Sequence, residues 1–472
     1  MMRSLCVAAA LAALSVPSSA QAPATSARGL AIRNARVLPI SGPPIERATV
    51  LVRNGKIERV SSDIAVPPGY EVVDAAGGTL MPGAVLAYGH TGLGAGGARE
   101  ERPNQFTRGG GRGRRGRGAP SPQGGAENES GELALDRLYA RQEVFQELLR
   151  DGVTTIGVAP TGTGLPGQGG VVRPAGDDVA AMTVVRSAFL AIAPVNDTRT
   201  KTLIQRALDD GKRNLDRRRR RGPEQRSEGG RAEGTPPAEQ KPAEKPAENP
   251  GEKPPEKPAE NAPEARGGDA AQGPRGGQQQ QEPDPAAEAI MQLLEGKTRA
   301  FVQIDSAAQM LHWDEVSKNH SFPTVFVARR HASQGSQGFF DVVLDHIKRR
   351  KAIVLLTPEL STIPNTEYQV NMPARLHAAG IEIGFLLADR GRALSAARTQ
   401  LMELVRAGLP ADVALRGITL TPARALGIDG TIGSIEPGKT ANLLLWSGDP
   451  LDPLAKLQRV WLEGNEVEAD PR

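Results

Sequence analysis

Side chains able to do chemistry are few in this chain. Cys6 is the only cysteine, and the histidines are His90, His312, His320, His331, His346 and His377. Cys6 lies in the N-terminal apolar stretch, which leaves the rest of the chain with neither a disulfide nor a thiolate for catalysis or metal binding. His312, His320, His346 and His377 fall on apparent helices or in loops away from strand ends, where histidines are ordinarily core or surface residues. That leaves His90 and His331. No Ser/His/Asp pattern stands out, and the glycine-rich tract Gly109 to Gly116 carries arginines with no Lys-Ser/Thr after it, so it is not a phosphate loop. Metal or acid-base chemistry would rest on very few nitrogen donors backed by carboxylates.

The elements that would position such residues follow from the apolar pattern. Val153 to Val158, Ala300 to Ile304, Thr324 to Val327, Ala352 to Leu356 and Ile381 to Leu387 read as buried parallel strands. Leu133 to Leu149, Pro285 to Leu294, Phe339 to Arg349, Met372 to Ala379 and Leu394 to Ala407 read as the helices that cover them. This repeated order predicts an α/β fold, a TIM (β/α)8-type barrel over residues 81–429. The two ends differ. Leu30 to Leu38, Ala48 to Arg53, Lys56 to Val60 and Glu71 to Asp74 are strands, the second and third joined by an Asn54-Gly55 hairpin signal. Ala441 to Trp446 and Gln458 to Leu462, followed by Glu463-Gly464-Asn465, repeat that pattern. Residues 28–80 and 430–470 are therefore expected to build one small β-sandwich domain together.

Met1 to Ala20 reads as a secretory signal, with a basic start, an apolar run from Leu5 to Val16 and small residues before a cleavage point after Ala20. Export with no remaining cysteine suits a periplasmic or secreted protein, and no later segment is apolar for long enough to span a bilayer. Two segments, 94–131 and 212–285, are expected to be disordered loops. The first contains Arg108-Gly-Gly-Gly-Arg-Gly-Arg-Arg-Gly-Arg117; the second contains Arg217 to Arg221, a Pro-Ala-Glu-Lys repeat and Gln278 to Gln281. A formal charge of +4 and an Arg-Gly tract raise nucleic-acid binding. Export and the lack of interleaved aromatics argue against it, leaving solvated loops or tethers to envelope anions.

Long motifs at both ends and in the middle carry a resemblance. Ile32 to Leu38, Val50-Leu-Val-Arg-Asn-Gly-Lys-Ile-Glu-Arg-Val60 and Val73-Asp-Ala-Ala-Gly-Gly-Thr-Leu-Met-Pro-Gly83 open the chain. Gly152-Val-Thr-Thr-Ile156 and Gly167-Gln-Gly-Gly-Val-Val-Arg173 follow, the latter expected to be a turn. Ile418-Thr-Leu-Thr-Pro-Ala-Arg-Ala-Leu-Gly427 and Gly433 to Pro450 close it. Together they resemble the amidohydrolase superfamily, in particular its imidazolonepropionase-like exported members. The resemblance implies a barrel with one or two divalent metals, zinc or similar, that activate water to attack an amide-type carbon of a small molecule. Its ligands would come from the C-terminal ends of barrel strands.

Against that pattern the ligand positions are depleted. Where the family's first strand carries an Asp followed by two histidines that reach one metal from alternate positions on one strand face, Pro82-Gly-Ala-Val-Leu-Ala-Tyr-Gly-His90 has Leu86 for the Asp and Tyr88 for the first His. Only His90 remains as a metal ligand. Tyr88 would bind metal only as a phenolate, costly for a group with a pKa of about 10, or else fill a polar pocket. Arg173 falls near a lysine that in some relatives bridges metals as a carbamate; an arginine cannot be so modified and would hold an anionic group. Gln303-Ile-Asp305 stands at a His-x-His, leaving Asp305 as a hard-metal ligand and Gln303 as a substrate contact. The strand from Thr324 brings His331 about three residues late and puts Ala328 or Arg329 at the ligand position. The family's closing Asp, which binds metal and takes the water proton, aligns with Ala388. Asp389, one residue later, acts as base only if a bulge restores its direction.

Two readings remain open. One is a metal-dependent hydrolase of C-N bonds with a reduced site at His90, Asp305 and Asp389. The other is a non-catalytic binding protein, or a partner subunit that forms a homo-oligomer or pairs with an active homologue.

Overall fold

The computed structural model describes residues 29–93, 127–220, 284–329, 340–362 and 366–467. The expected signal, His331 and most of both expected loops lie outside these residues.

The chain opens with five strands, β1 (Gly29–Val37), β2 (Ile45–Arg53), β3 (Lys56–Ser61), β4 (Tyr70–Asp74) and β5 (Thr79–Pro82). The β2–β3 connection is the Asn-Gly hairpin: Asn54 and Gly55 have φ of 51° and 74°, the left-handed pair that a type I′ turn needs. The chain then enters the barrel through β6 (Ala84–Gly89). It continues through the short β7 (Glu127–Asn128), helix α1 (Glu143–Arg150), β8 (Val153–Val158) and β9 (Gly164–Val172). Next come α2 (Val179–Met182), β10 (Thr183–Ala193), α3 (Thr198–Arg220), α4 (Pro285–Leu294), β11 (Arg299–Gln303), α5 (Ala307–Ser317) and β12 (Thr324–Ala328). The barrel is completed by α6 (Phe340–Arg350), β13 (Ile353–Leu356), the small hairpin β14 (Ser361–Thr362) and β15 (Gln369–Val370), α7 (Met372–Ala378) and β16 (Ile383–Phe385). Helices α8 (Ala393–Arg406), α9 (Ala411–Arg416) and α10 (Leu420–Leu426) lead to β17 (Leu443–Trp446), β18 (Leu457–Leu462) and β19 (Asn465–Val467).

The termini do meet. β17 pairs antiparallel with β5, Leu443 opposite Pro82, so that one eight-stranded sheet runs β19-β18-β17-β5-β1-β2-β3 with β4 beside β1. The sheet curls over a single core of Ile32, Val50, Ile57, Leu80, Leu443 and Trp461. The start of β3 also meets the segment before β17, where Lys56 bridges Thr440. Glu463 and Gly464, with φ of 51° and 76°, form a second tight turn against Gly55.

The barrel strands follow the order β6-β8-β9-β10-β11-β12-β13-β16. Its seam is closed by a loop. The Phe385 amide of β16 donates to Gly417 O (2.6 Å) and the Val85 amide of β6 to Ile418 O (2.9 Å), so the 417–418 segment stands between the first and last strands. Side chains alternate between an outer layer under the helices, with Leu86, Ile156, Val302 and Val354, and an inner layer with Val85, Val171, Phe301 and Val325.

Three expectations need correction. Gly167 to Val172 is strand, not turn: β9 pairs antiparallel with both β8 and β10, placing one reversed strand in an otherwise parallel barrel. Glycines hid it, yet Gly169 is needed there because any side chain would strike the Phe189 ring. Residues 212–220, expected to open the second loop, are helix. α3 continues to Arg220 because Leu208 and Leu215 bury one face, and Arg218 reaches Glu288 of α4 at 3.2 Å. Glu127 and Asn128, expected to lie in the first loop, pair with Gly164 and Leu165.

Candidate functional site

The site is built at the ends of β6, β11, β12 and the segment after β16. In β6 the register with β8 slips between Leu86 and Gly89. Around this slip Leu86 lies in the outer layer under the helices, whereas Tyr88 turns into the barrel beside Phe189 and Phe301. Tyr88 is 1% exposed, its ring stacked 6.0 Å from Phe301, and its hydroxyl accepts a hydrogen bond from Gln303 Nε2 at 2.6 Å. Burial, first, and then the Asp305 charge raise its pKa against the lowering effects of Gln303 and Arg329, so Tyr88 stays a neutral phenol.

His90 follows at the strand end. Its Nδ1 lies 2.8 Å from Ala159 O, and its Nε2 lies 2.9 Å from Nη1 of Arg329. A carbonyl only accepts and a guanidinium only donates, so Nδ1 carries the proton and Nε2 offers its lone pair to Arg329. Burial, then the Arg329 charge, lower the His90 pKa; the Ala159 carbonyl and Asp389 oppose this less strongly. Arg329, the residue after β12, sits over the Tyr88 ring with Cζ 5.6 Å from its centroid. Of the two residues expected at that ligand position, Ala328 is buried in the outer layer and Arg329 reaches the mouth.

Asp389 is also at the mouth, and needs no bulge. β16 ends at Phe385, so the two-residue alternation no longer applies four residues later. Asp389 Oδ2 accepts the His90 amide at 3.2 Å, and its carbonyl accepts from Thr91 Oγ1 at 2.9 Å. Arg329 and Arg390 flank its carboxylate at 4.0 Å and 3.9 Å. Ala388 is exposed. Asp305 lies before the N-terminus of α5, where its amide donates to Gln309 Oε1 and its charge is felt at Tyr88.

The structure thus gathers Tyr88, His90, Gln303 and Asp389, with Asp305 close by. It does not bring Arg173 to them. Arg173 follows β9 and donates to Glu463 Oε1 at 2.6 Å and to Ala181 O at 2.9 Å, tying the barrel to the β18–β19 turn. The expectation that it holds an anionic ligand is corrected by this satisfied pairing. Among the described residues, no group of three or more His, Cys, Asp or Glu side chains is placed to hold a metal ion. Of the other described histidines, His320 meets Asp209 and His346 joins Asp314, Arg349 and Arg350 between α5 and α6, whereas His312 and His377 are exposed.

The pattern of the amidohydrolase family matches residues 364–467. The crystal structure of an amidohydrolase from Thermotoga maritima MSB8 superposes with a TM-score of 0.65 at 22% identity, over 93% of this chain and all of that one. The described chain thus has the fold of that amidohydrolase, and its last part carries the amidohydrolase family's pattern. An amidohydrolase named tasK of Hapsidospora irregularis is 38% identical over 64 residues, 14% of this chain and 6% of the relative. A putative N-acetylgalactosamine-6-phosphate deacetylase of Escherichia coli K12 is 35% identical over 78 residues, 16% of this chain and 42% of the relative. The chain therefore spans less than half the length of these curated relatives. No described helix is long and apolar enough to cross a membrane.

Proposed function

We propose that this amidohydrolase-superfamily protein recognises a small amide-type molecule at its barrel mouth without hydrolysing it through a metal-bound water. The observation that carries this reading is the donor set. A divalent ion of the zinc type needs three or more nitrogen, sulfur or carboxylate donors around one point. Tyr88 is a buried neutral phenol bound to Gln303, His90 turns its only lone pair to Arg329, and Asp389 is held by the His90 amide. These residues do not fit the ion that the family resemblance implies. The same reading covers a partner subunit of an active relative, and export of the chain from its first twenty residues. The imidazolonepropionase-like terminal motifs are its only guide to subtype.

Metal analysis of the purified protein, with hydrolysis assays on N-acyl amino acids and lactams, tests the reading. Substoichiometric zinc, iron and manganese and no turnover are expected. Stoichiometric metal with turnover that is lost on His90→Ala would establish instead the hydrolase with a reduced site at His90, Asp305 and Asp389. The convergence of His90 and Asp389 is what keeps that second reading worth testing.

A further inference from the structure

We infer that Arg329 is the built-in cation of this pocket, seated on the histidine nitrogen that would otherwise face a metal, and that its outward N–H edge docks the carboxylate of a small ligand. The inference rests on the proposed recognition role and names the ligand class.

The first step is geometric. Arg329 spends Nη1 on His90 Nε2, and its face is set by the Tyr88 ring. Its nearest described carboxylate, Asp389, is 4.0 Å away, beyond hydrogen-bond length. Other arginines of this chain are satisfied directly: Arg173 by Glu463 at 2.6 Å, Arg350 by Asp314 at 2.8 Å and Arg424 by Glu382 at 2.9 Å. A guanidinium carries five N–H donors in a planar fork that matches a carboxylate with two parallel bonds. The Arg329 side chain is 35% exposed and Asp389 25% exposed, so the fork is reachable from solvent while Tyr88 below it is not.

The second step is electrostatic. Asp389 would repel an incoming carboxylate, but Arg329 and Arg390 both lie about 4 Å from it and offset its charge. Neutral His90 adds no charge. It holds the guanidinium by accepting a hydrogen bond rather than by neutralising it, so the positive charge remains available to a ligand.

The test compares N-acyl amino acids with their C-terminal amides by calorimetric titration. It uses the full protein and its Arg329→Gln and Arg329→Lys variants, with thermal unfolding to show that each is folded. The acids are expected to bind about tenfold to a hundredfold more tightly than the amides, the range of a hydrogen bond to a charged group. Arg329→Gln should abolish that preference, and Arg329→Lys should keep part of it. Ring nitrogen shifts of His90 should show Nδ1 protonated and Nε2 accepting in the wild type, with the Nε2 shift moving in Arg329→Gln. Equal binding of acid and amide, no binding of either, or a preference that survives Arg329→Gln overturns the inference. In zinc-free protein such a result leaves the proposed function standing, whereas stoichiometric zinc removes that function itself.

Discussion

Arg329 and His90 are joined end to end, Nη1 to Nε2 at 2.9 Å, with the far side of the imidazole fixed on Ala159 O. A carbonyl behind Nδ1 is the arrangement that orients a metal-ligating histidine and leaves Nε2 facing the ion. Here the fixing partner is kept and the facing partner is a guanidinium.

That substitution is reversible by design. Tyr88→His with Arg329→His places two more imidazoles near His90, giving three nitrogen donors with Asp389 beside them. The double variant should bind cobalt with the visible absorption of a tetrahedral site. Tyr88→His alone should bind no more cobalt than wild type, because Arg329 still covers Nε2. Equal cobalt binding by the single and double variants would show that Arg329 is no obstacle.

The histidine also sets a pH dependence. Its pKa in the folded protein lies below the ordinary 6.5, through burial first and the Arg329 charge second. Between the two values the unfolded chain binds more protons, so this contribution to stability is complete above the unfolded pKa and is lost as pH falls through the folded one. Melting temperatures from about pH 8 to about pH 5 should fall less steeply for His90→Gln than for wild type. Parallel curves would show that His90 is not held neutral.

Tyr88 and Gln303 form a buried polar pair whose parts need one another. Tyr88→Phe leaves the Gln303 amide facing an apolar ring, and should cost about 1–3 kcal/mol in denaturant unfolding. Adding Gln303→Leu should recover much of that loss, since removing both partners leaves nothing unsatisfied. Additive losses would mean that the 2.6 Å contact contributes no coupling.

How much of this was legible in sequence differs from element to element. β8, β11 and β12 showed as short apolar runs because both faces of a barrel strand are buried. β9 is rich in glycine and shows no such run, and β10 shows one only in its second half, Ala188 to Ala193, so the reversed strand between β8 and β10 went unseen. Asn54-Gly55 and Glu463-Gly464 marked the two turns through their backbone demands, and those turns stack. At the site, the family resemblance located Tyr88, His90 and Gln303 at strand ends. It left open whether Ala328 or Arg329 faced the mouth and kept Asp389 conditional on a bulge. Both depended on where β12 and β16 stop, which side-chain periodicity does not encode.

Arg173 separates an architectural arginine from a ligand-binding one. Its pairing with Glu463 joins the end of β9 to the terminal β domain, but both side chains are about a third or more exposed, so solvent screening limits its worth to under about 1 kcal/mol. Arg173→Ala should therefore lower the melting temperature slightly and leave carboxylate binding unchanged, whereas Arg329→Gln should do the reverse. A loss of ligand affinity in Arg173→Ala comparable to that in Arg329→Gln would place the anion site at the domain junction instead of at the barrel mouth.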